Sequence, residues 1–382
     1  MEFKKHKLEE FIDTISETST IKKQQVVLIN TSDVENGKVL NHKYTENKNL
    51  KGQFKKRFRK DDILYSEIRP KNKRFAYVDF DASDYIASTK LMVLRNKGNI
   101  DNTFLYQLLK SNKIINQLQL LAESRSGTFP QITFNELANI EIEIPNIENQ
   151  IKISKILTDI DSKIEINNQT NDNLFKMMKS KFEDWITNLN KYEVSSLSKI
   201  ANYTNGLAMQ KFRPKDNEES LPVIKIKEMN DGITENTERC STNIKDEVII
   251  NNGDVLFAWS GTLCMSIWGK GKAGLNQHIF KVTSDKYPKW FYYFWTLKHL
   301  NKFKMIAAGK ATTMGHIKRG ELDISEVLIP EDKELQEMHK IMQPLFNKYI
   351  NNLIQNETLT QLRDTLLPKL MNGEIDLDKI EN

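Results

Sequence analysis

Cysteine is scarce in this chain: among 382 residues, Cys240 and Cys264 are the only two. Neither belongs to a Cys-x-x-Cys pair or to a Cys/His cluster. This spacing excludes a disulfide framework and gives no basis for a structural zinc site. We expect both cysteines to be thiols in a hydrophobic core.

Long apolar runs are also missing. No stretch approaches the roughly 18 residues that a membrane-spanning helix needs, and the mean hydropathy is −0.55. The opening segment Met1–Lys5 lacks the apolar run of a signal peptide. We therefore expect a cytoplasmic protein that does not contact a membrane.

Signatures of catalysis are absent as well. Methylation of a base amine usually relies on a turn of Asn or Asp, two prolines and an aromatic residue, but no two of the nine prolines are adjacent. The chain has no phosphate loop, since Gly269–Gly271 lacks the required spacing, and no zinc-hydrolase or serine-hydrolase motif. We predict no catalytic, cofactor-binding or metal-binding residue in this chain.

The chain does contain enough apolar material for more than one core. Hydrophobic residues make up 39% and charged residues 28% of the sequence, a balance typical of a folded protein. A length of 382 residues exceeds what one hydrophobic core usually serves. We expect two domains or one repeated unit.

Positive charge is concentrated in two parts of the chain. Between Lys48 and Arg74, eleven Lys and Arg residues and three acidic residues give a local net charge of +8. Residues 148–190 carry −1 and residues 331–382 carry −4, so the remaining two parts together carry +10 against +5 for the whole chain. One charged run is ordinarily a solvated surface, but a positive balance confined to two corresponding parts favours a polyanionic partner.

The two basic parts belong to an internal repeat. A shift of 185 residues places Glu136–Pro145 on Glu321–Pro330 with five identities. Farther upstream the shift grows to 192, where Asp62–Leu64 aligns with Asp254–Leu256. Insertions in surface loops produce such a drift, so the chain consists of two copies of one unit.

Each copy begins with a mixture of strands and helices. Short β-type runs are broken by Gly, Asn and Asp, and longer apolar segments have a helical pattern. The predicted strands are Ile63–Tyr65, Lys90–Leu94, Val255–Trp259 and Ile279–Val282, and the predicted helices are Thr103–Leu121 and Trp290–Ala307.

Each copy ends in a long helix. After Pro145, and again after Pro330, apolar residues recur in alternating steps of three and four, a pattern typical of a coiled-coil seam. Pro368 predicts that the second helix ends near Leu367. We expect the two helices to pack together.

Four asparagines interrupt the apolar seam: Asn167 and Asn171 in the first helix, and Asn352 and Asn356 in the second. Either the seam is locally solvated, or the asparagines fix the register because an unpaired buried amide is costly. Their repetition in both helices favours the second explanation.

These patterns predict a mixed α/β (α+β) fold with a pseudo-two-fold internal repeat. Two globular domains are joined by two long antiparallel coiled-coil helices. The predicted boundaries are 1–146 for the first domain, 147–190 for the central helix, 191–330 for the second domain, and 331–382 for the distal helix and C-terminal tail.

Five segments, taken in order, resemble the specificity subunit of Type I restriction-modification systems over essentially the whole chain. They are Asp61–Pro70 (DDILYSEIRP), Ser126–Ile132 (SGTFPQI), Leu221–Ile226 (LPVIKI), Asn252–Phe257 (NGDVLF) and Leu362–Glu374 (LRDTLLPKLMNGE). One local departure follows the Ile-Pro of each copy, where the family often has Glu-Gln and this chain has Glu148-Asn149-Gln150 and Glu334-Leu335-Gln336.

The resemblance implies a DNA-recognition role without catalysis. Each basic domain would be a target recognition domain that reads half of a split sequence in double-stranded DNA, and the helices would set the distance between the halves. Two modification subunits would dock on the chain and methylate adenine, and restriction/translocase subunits would cut unmodified DNA. S-adenosylmethionine, ATP and Mg would be bound by those partners, with no cofactor in this chain.

Candidate DNA contacts are Lys and Arg, which neutralise phosphates, and polar side chains on loops, which read base edges. Trp259 as a core residue, and Ser126–Ile132 as a plain turn forced by Gly127 and Pro130, remain alternatives. The candidates are Lys55, Lys56, Arg57, Arg59, Ser66, Arg69, Lys73, Arg74, Arg125, Thr128 and Gln131 in the first domain, and Lys225, Lys227, Trp259, Ser260, Gln277, His278, Lys310, Thr312, Thr313, His316, Lys318 and Arg319 in the second.

Two hypotheses from other classes stay open. A standalone sequence-specific DNA-binding or scaffold protein would bind DNA without partners, whereas an autonomous enzyme would methylate or cleave DNA alone. The missing catalytic motifs count against the enzyme. A methylase gene and a translocating nuclease gene beside this one would favour the specificity subunit.

Overall fold

The computed structural model divides the chain into two compact units. Unit 1 comprises residues 1–161 and 362–382, and unit 2 comprises residues 162–361. The structure describes residues 2–35, 37–48, 50, 52–125, 127–309, 315–375 and 377.

Unit 1 is built on two four-stranded sheets. Its strands are β1 (Lys4–Lys7), β2 (Ile12–Thr14), β3 (Gln25–Ile29), β4 (Val34–Glu35), β5 (Lys38–Val39), β6 (Tyr44–Glu46), β7 (Phe54–Lys56), β8 (Ile63–Ser66), β9 (Phe75–Tyr77), β10 (Tyr85–Ser88), β11 (Leu91–Asn96) and β12 (Glu141–Ile144). One sheet has the order β6-β3-β10-β7 and the other β2-β11-β8-β9, while β1 pairs with β12 and β4 with β5. Only β3 and β10 pair in parallel among these described strands.

Three shorter helices complete the mixed part of unit 1: α1 (Asn102–Leu109), α2 (Asn112–Arg125) and α3 (Phe134–Ala138). The single helix predicted over Thr103–Leu121 is wrong, because the chain breaks it at Lys110 and Ser111. The backbone N–H of Ser111 bonds to Leu108 O, and the Ser111 hydroxyl accepts from the backbone N–H of Ile114. Serine thereby caps the start of α2 instead of continuing α1.

Unit 2 repeats this plan. Its strands are β13 (Tyr192–Ser196), β14 (Asn202–Asn205), β15 (Ser220–Ile224), β16 (Arg239–Ser241), β17 (Ile249–Ile250), β18 (Val255–Ala258), β19 (Cys264–Ile267), β20 (Ala273–Leu275), β21 (Ile279–Thr283) and β22 (Glu326–Pro330). The sheets have the orders β14-β21-β18-β19 and β16-β15-β20-β17, and β13 pairs with β22. The helices are α5 (Leu197–Ile200), α6 (Ile226–Asp231), α7 (Lys289–Ala308) and α8 (Gly320–Asp323).

The two four-stranded sheets and the terminal strand pair match between the units, with only the β4-β5 pair of unit 1 lacking a counterpart among the described residues, which confirms the internal repeat. In each unit, a pair of antiparallel strands brings together the start and the end of the mixed region, as β1 with β12 and β13 with β22. In each unit, the single parallel pair among the described strands lies at the centre of one sheet, as β3 with β10 and β15 with β20. The two copies therefore share one chain path.

Two long helices belong to both units: α4 (Ile147–Thr187) and α9 (Asp332–Met371). In unit 1, Ile153 and Leu157 of α4 and Leu370 of α9 are buried in the domain core. In unit 2, Phe182 of α4 and Phe346 of α9 do the same. Apolar residues of α4 and α9, including the predicted seam residues Ile153, Leu157 and Leu370, thus anchor both helices to the cores of the mixed domains.

Helix α9 continues past Pro368, so the prediction that it ends near Leu367 is wrong. Proline lacks a backbone donor and disfavours a helix interior. Here, however, Leu370 and Met371 are buried against the core of unit 1, and the backbone N–H of Asn372 bonds to Pro368 O at 2.9 Å. Burial of these two side chains offsets the lost hydrogen bond.

The asparagines of the seam hydrogen-bond across it within unit 2. Asn352 Nδ2 donates to Asn171 Oδ1 at 2.9 Å, and Asn167 Nδ2 donates to Asn356 Oδ1 at 2.9 Å. Asn167, Asn171 and Asn352 are buried. These paired amides run in opposite order along α4 and α9, so the helices are antiparallel within unit 2; the pairing is what the register-fixing prediction requires, and that role stays a prediction.

The two cysteines differ in environment. Cys240 is buried as predicted, whereas Cys264 is half-buried. Burial raises the pKa of both thiols above its ordinary value. Cys264 therefore lies at the margin of the core, which corrects its predicted place.

A search of the described residues finds no helix with the length and apolarity required to cross a membrane.

Candidate nucleic-acid interface

Three segments of unit 1 that are distant in sequence meet at the end of strand β8, at a place that we call junction 1. Junction 1 consists of residues 66–69, residue 90 and residues 128–132. Its backbone contacts are the hydrogen bonds Ile132 N to Glu67 O (2.8 Å), Arg69 N to Pro130 O (3.1 Å) and Glu67 N to Lys90 O (3.1 Å), and an antiparallel bridge between Ile68 and Gln131. The motif Asp61–Pro70 therefore lies beside residues 130–132, the last part of the motif Ser126–Ile132.

The same contacts recur in unit 2 at the end of strand β18, at junction 2. Junction 2 consists of residues 258–261, residue 278 and residues 315–317. Its contacts are the hydrogen bonds Ile317 N to Trp259 O (3.2 Å), Gly261 N to Gly315 O (2.9 Å) and Trp259 N to His278 O (3.2 Å), and an antiparallel bridge between Ser260 and His316. Each contact of junction 1 thus has its counterpart in junction 2, at shifts between 185 and 192 residues.

A repeated carboxylate, buried in unit 1 and half-buried in unit 2, holds the turn that leads into each junction. Asp62 is buried and forms two hydrogen bonds with the Arg95 guanidinium at 2.7 and 2.8 Å. Its counterpart Asp254 lies 3.1 Å from Lys281 Nζ. In both copies the aspartate also accepts the backbone N–H three residues before it, so β8 and β18 begin from the same fixed turn.

The side chains of junction 1 are polar and charged. Lys90 Nζ donates to Gln131 Oε1 at 3.0 Å and lies 3.6 Å from Glu67 Oε2. The Lys90 side chain is 49% exposed and the Glu67 side chain 22% exposed. We call Glu67, Lys90 and Gln131 triad 1.

The corresponding side chains of junction 2 are aromatic. The Trp259 ring lies 6.1 Å from the His278 ring and 6.2 Å from the His316 ring, centroid to centroid. Gln277 Nε2 approaches His278 Nε2 at 3.2 Å. We call Trp259, His278 and His316 triad 2; all three side chains are half-buried, so Trp259 is not a fully buried core residue.

The basic cluster at β7 and the segment after it contains three exposed side chains and one half-buried one. Lys55, Arg57 and Arg59 are exposed, whereas Lys56 Nζ donates to Leu91 O at 2.8 Å and lies 3.8 Å from Glu67 Oε1. Burial lowers the pKa of Lys56 below its ordinary value. Side chains alternate across a strand, so Lys55 faces solvent while the Lys56 ammonium is held inside; Arg57 and Arg59 follow β7 and are exposed as well.

The loop that follows β8 presents two further predicted cations. Arg69 and Lys73 have positive φ values of 45° and 52°, uncommon for residues with a side chain. Both are exposed, and Arg69 Nη2 donates to Thr128 O at 3.3 Å. Arg74 is half-buried.

Three other predicted residues of unit 1, Thr128, Arg125 and Ser66, differ in their exposure and contacts. Thr128 is exposed, and Arg125 Nη1 pairs with Glu136 at 3.1 Å. Ser66 is buried, and its hydroxyl accepts the backbone N–H of Ile68 at 3.0 Å. Ser66 therefore shapes the backbone of junction 1.

The predicted residues of unit 2 are more dispersed. Lys225 Nζ pairs with Glu238 at 2.7 Å, and the Arg319 guanidinium donates to Tyr203 O. Lys227 and Lys318 are exposed, and Ser260 is buried. Lys310, Thr312 and Thr313 lie outside the described residues.

Sequence reasoning missed Glu67 and Lys90. Glu67 lies within the motif Asp61–Pro70, and Lys90 precedes strand β11. A shift of 188 residues would have aligned Lys90 with His278, which was singled out in the other copy. Because the shift between the copies varies from 185 to 192 residues, the value of 188 at Lys90 can be assigned only from the strand pairing in the structure.

Comparison with known proteins identifies both copies with one family. The family model for the Type I restriction modification DNA specificity domain matches residues 1–175 and again residues 190–361. The two matches together span most of the chain and agree with the duplicated topology.

The chain is similar to individual proteins that are named as specificity subunits of Type I restriction systems. The chain is 29% identical to the Type I restriction enzyme HindI specificity subunit of Haemophilus influenzae, over 92% of this chain and 94% of that protein. It is 24% identical to the Type I restriction enzyme MjaIX specificity subunit of Methanocaldococcus jannaschii, over 78% of this chain and 76% of that protein. A crystal structure of the Type I restriction-modification system S subunit from M. genitalium shares the fold, with a TM-score of 0.54 at 15% identity over 97% of this chain and 96% of that one.

Proposed function

The chain belongs to the Type I restriction-modification DNA specificity family, and from that premise we propose that it reads a bipartite target in double-stranded DNA, one half-site with each unit. The observation that carries this proposal is the duplicated junction. Two identical sets of backbone contacts hold two different sets of side chains. Two junctions with the same backbone and different side chains are suited to docking on DNA in the same way while reading two different half-sites.

The charges around junction 1 support contact with DNA. Exposed Lys55, Arg57 and Arg59 can neutralise phosphates, which contributes affinity without sequence information. Half-exposed polar side chains at the junction can hydrogen-bond to base edges in the major groove. The two kinds of contact have separate signatures, since the first depends on salt and the second on sequence.

Partner subunits carry the chemistry in this proposal. Two modification subunits bind S-adenosylmethionine and methylate adenine, and restriction/translocase subunits use ATP and Mg to move along and cut unmodified DNA. This chain binds no cofactor and chooses the site. Because the complex acts on chromosomal DNA, we place it in the cytoplasm.

Reconstitution tests the division of labour. The purified chain, its modification partner and the two together are each incubated with S-adenosylmethionine and a DNA substrate that carries the host motif. We expect methyl transfer only from the mixture, because the catalytic residues belong to the partner. Methylation by this chain alone would sink the proposal.

Methylome sequencing of the host tests the same proposal in living cells. Deleting the gene for this chain should abolish adenine methylation at one bipartite motif, and restoring the gene should bring it back. Retention of every methylated motif after the deletion would contradict the proposed role.

A further inference from the structure

Of the matched positions in the two junctions, three carry unlike side chains that contact one another within each unit. They are Glu67 and Trp259, Lys90 and His278, and Gln131 and His316, joined in each unit by the same hydrogen bonds and bridge. We propose that triad 1 and triad 2 determine which bases the two units read, each triad acting on one half-site. This inference rests on the proposed function and adds the residues that give each half its sequence.

The contrast with the buried neighbours singles out these positions. Ile132 and Ile317, which follow Gln131 and His316, are the same residue in both copies and are both buried. The triad members next to them differ completely and are partly exposed. The buried isoleucines serve packing and are alike, whereas the unlike and solvent-accessible side chains beside them have the accessibility that contact with two different half-sites requires.

The chemistry of triad 1 is suited to hydrogen-bonded readout. Lys90 offers an ammonium donor, Gln131 an amide, and Glu67 a carboxylate acceptor, and they already contact one another over 3.0 and 3.6 Å. In the major groove, lysine matches guanine, glutamine matches adenine, and glutamate matches the amine of cytosine. The mutual contacts fix the direction in which each group points before DNA arrives.

Triad 2 offers different groups at the same backbone positions. A neutral imidazole presents one donor and one acceptor, and the Trp259 indole presents an apolar face suited to the methyl group of thymine. Among the described residues, the buried atoms Trp259 Nε1 and His278 Nδ1 have no hydrogen-bond partner. An unpaired buried polar atom costs stability, so packing alone does not account for these two atoms.

Exchange of the triads tests the proposal in the complete complex. The triple variant Glu67→Trp, Lys90→His, Gln131→His is expressed with its modification and restriction partners in cells that lack the native gene, and the methylome is sequenced. We expect one half of the bipartite motif to change its bases while the other half stays as in the native strain. An active variant with the native motif in both halves would overturn the proposal.

The reverse exchange, Trp259→Glu, His278→Lys, His316→Gln, provides the matched experiment in unit 2. It should alter the other half-site and leave intact the half that the first variant changes. If both variants change the bases of the same half-site, the proposal is contradicted, because each triad would then not act on a half-site of its own.

Single substitutions decide the matter if a triple variant fails to fold. Lys90→Gln and Gln131→Glu, each in complex with the modification subunit, are titrated against duplexes that differ at one base pair of one half-site. We expect the preference between duplexes to change roughly five- to 150-fold at one position. Equal preferences in variant and native complexes overturn the proposal.

A phosphate contact provides the control. Lys55→His should weaken binding to all duplexes by a similar factor, because a phosphate carries no sequence information. Loss of the motif upon gene deletion tests the proposed function separately, so a failure of the triads leaves that function standing.

Discussion

A single carboxylate, that of Asp161, ties three segments of unit 1 together. Its oxygens accept from Lys110 Nζ at 2.6 Å, from Arg363 Nη1 at 3.0 Å and from Gln107 Nε2 at 3.3 Å. Burial by itself raises the pKa of Asp161, but the charge of Lys110 and the hydrogen bonds from Lys110 and Arg363 hold that pKa below its ordinary value. The ends of α1 and α9 are thereby fastened to α4.

Asp161→Asn should lower the free energy of unfolding by about 1–3 kcal/mol, since Lys110 and Arg363 lose a charged acceptor. A carboxylate with a depressed pKa stabilises the fold above its unfolded pKa and ceases to do so as the pH falls through the folded pKa. The difference in the free energy of unfolding between native and variant chains should therefore be largest at neutral pH and decrease below about pH 4. Thermal and denaturant unfolding at several pH values measures it.

Asp159→Asn is the matched control, because Asp159 is an exposed carboxylate on the same helix. It should change the free energy of unfolding by less than about 0.5 kcal/mol. Equal losses from the two substitutions would mean that the network around Asp161 contributes nothing specific.

Residue roles of this kind were beyond sequence reasoning. Asp159 and Asp161 lie two residues apart on one predicted helix, and only packing against α1 and α9 distinguishes them. Lys55 and Lys56 are a similar case: both belong to the predicted basic cluster, yet only the structure shows Lys56 Nζ bonded to Leu91 O. Composition predicts a basic surface, but strand pairing decides which side chains occupy it.

At the scale of the element, the asparagine pair Asn171 and Asn352 is predicted to define the register of α4 against α9 in unit 2. Asn171→Leu should cost about 1–3 kcal/mol, because it leaves the buried amide of Asn352 without its partner. The double variant Asn171→Leu, Asn352→Leu should recover much of that loss, since two leucines can pack in the seam. A double-mutant cycle from denaturant unfolding measures the coupling.

Asn173→Leu serves as the control on the same helix, because Asn173 is exposed. It should leave the free energy of unfolding nearly unchanged. Additive losses from the two seam substitutions, with no coupling energy, would contradict the register-fixing role.

Strand β7 and the turn after it form the second element with a measurable prediction. Replacement of Lys55, Arg57 and Arg59 by Ala should weaken binding to all DNA sequences alike and flatten the salt dependence by about 0.9 units of slope for each lost phosphate contact. Lys56→Gln, at the half-buried position between Lys55 and Arg57, should leave the slope unchanged. Binding titrations of the complex over a range of salt concentrations measure this slope. A triple variant with the native slope would show that the cluster does not contact DNA.

Elements were predictable where the pattern was long or repeated. The helices α4 and α9 follow from a sustained seam, and the strands β8, β11, β18 and β21 follow from short apolar runs. The break between α1 and α2 was not predictable from periodicity, because the hydroxyl of Ser111 competes with the helix for the N–H of Ile114. The continuation of α9 past Pro368 required the burial of Leu370 and Met371, which a local rule for proline does not include.

For the molecule as a whole, duplication explains more than any single motif. The shift between the copies varies from 185 to 192 residues, yet the contacts of junction 1 recur in junction 2 one by one. Insertions have accumulated in connecting loops, where they cost little, and the paired backbone has been kept. The candidate site was only partly predictable for this reason: the repeat identified its segments, whereas the drift of the shift concealed Glu67 and Lys90.

The continuous helices α4 and α9 lead to the last prediction, that their length sets the spacing between the half-sites. A helix rises about 1.5 Å per residue, so four inserted residues lengthen it by about 6 Å. Because Asn171 pairs with Asn352, an insertion after Leu174 in α4 is matched by one after Lys348 in α9. We expect the preferred spacer to lengthen by about one or two base pairs, given about 3.4 Å per base pair.

Methylome sequencing of cells that carry the double insertion measures both parts of the target at once. The bases of the two half-sites should be unchanged, because triad 1 and triad 2 lie outside the inserted turns. A chain of native length with Ala at exposed positions of the same turns, Asn173 in α4 and Asn351 in α9, controls for changes in sequence without changes in length. An active insertion variant that keeps the native spacer, or that reads different half-site bases, contradicts the role of the helices as a spacer, since extra helical length would then have no effect on the distance between the half-sites.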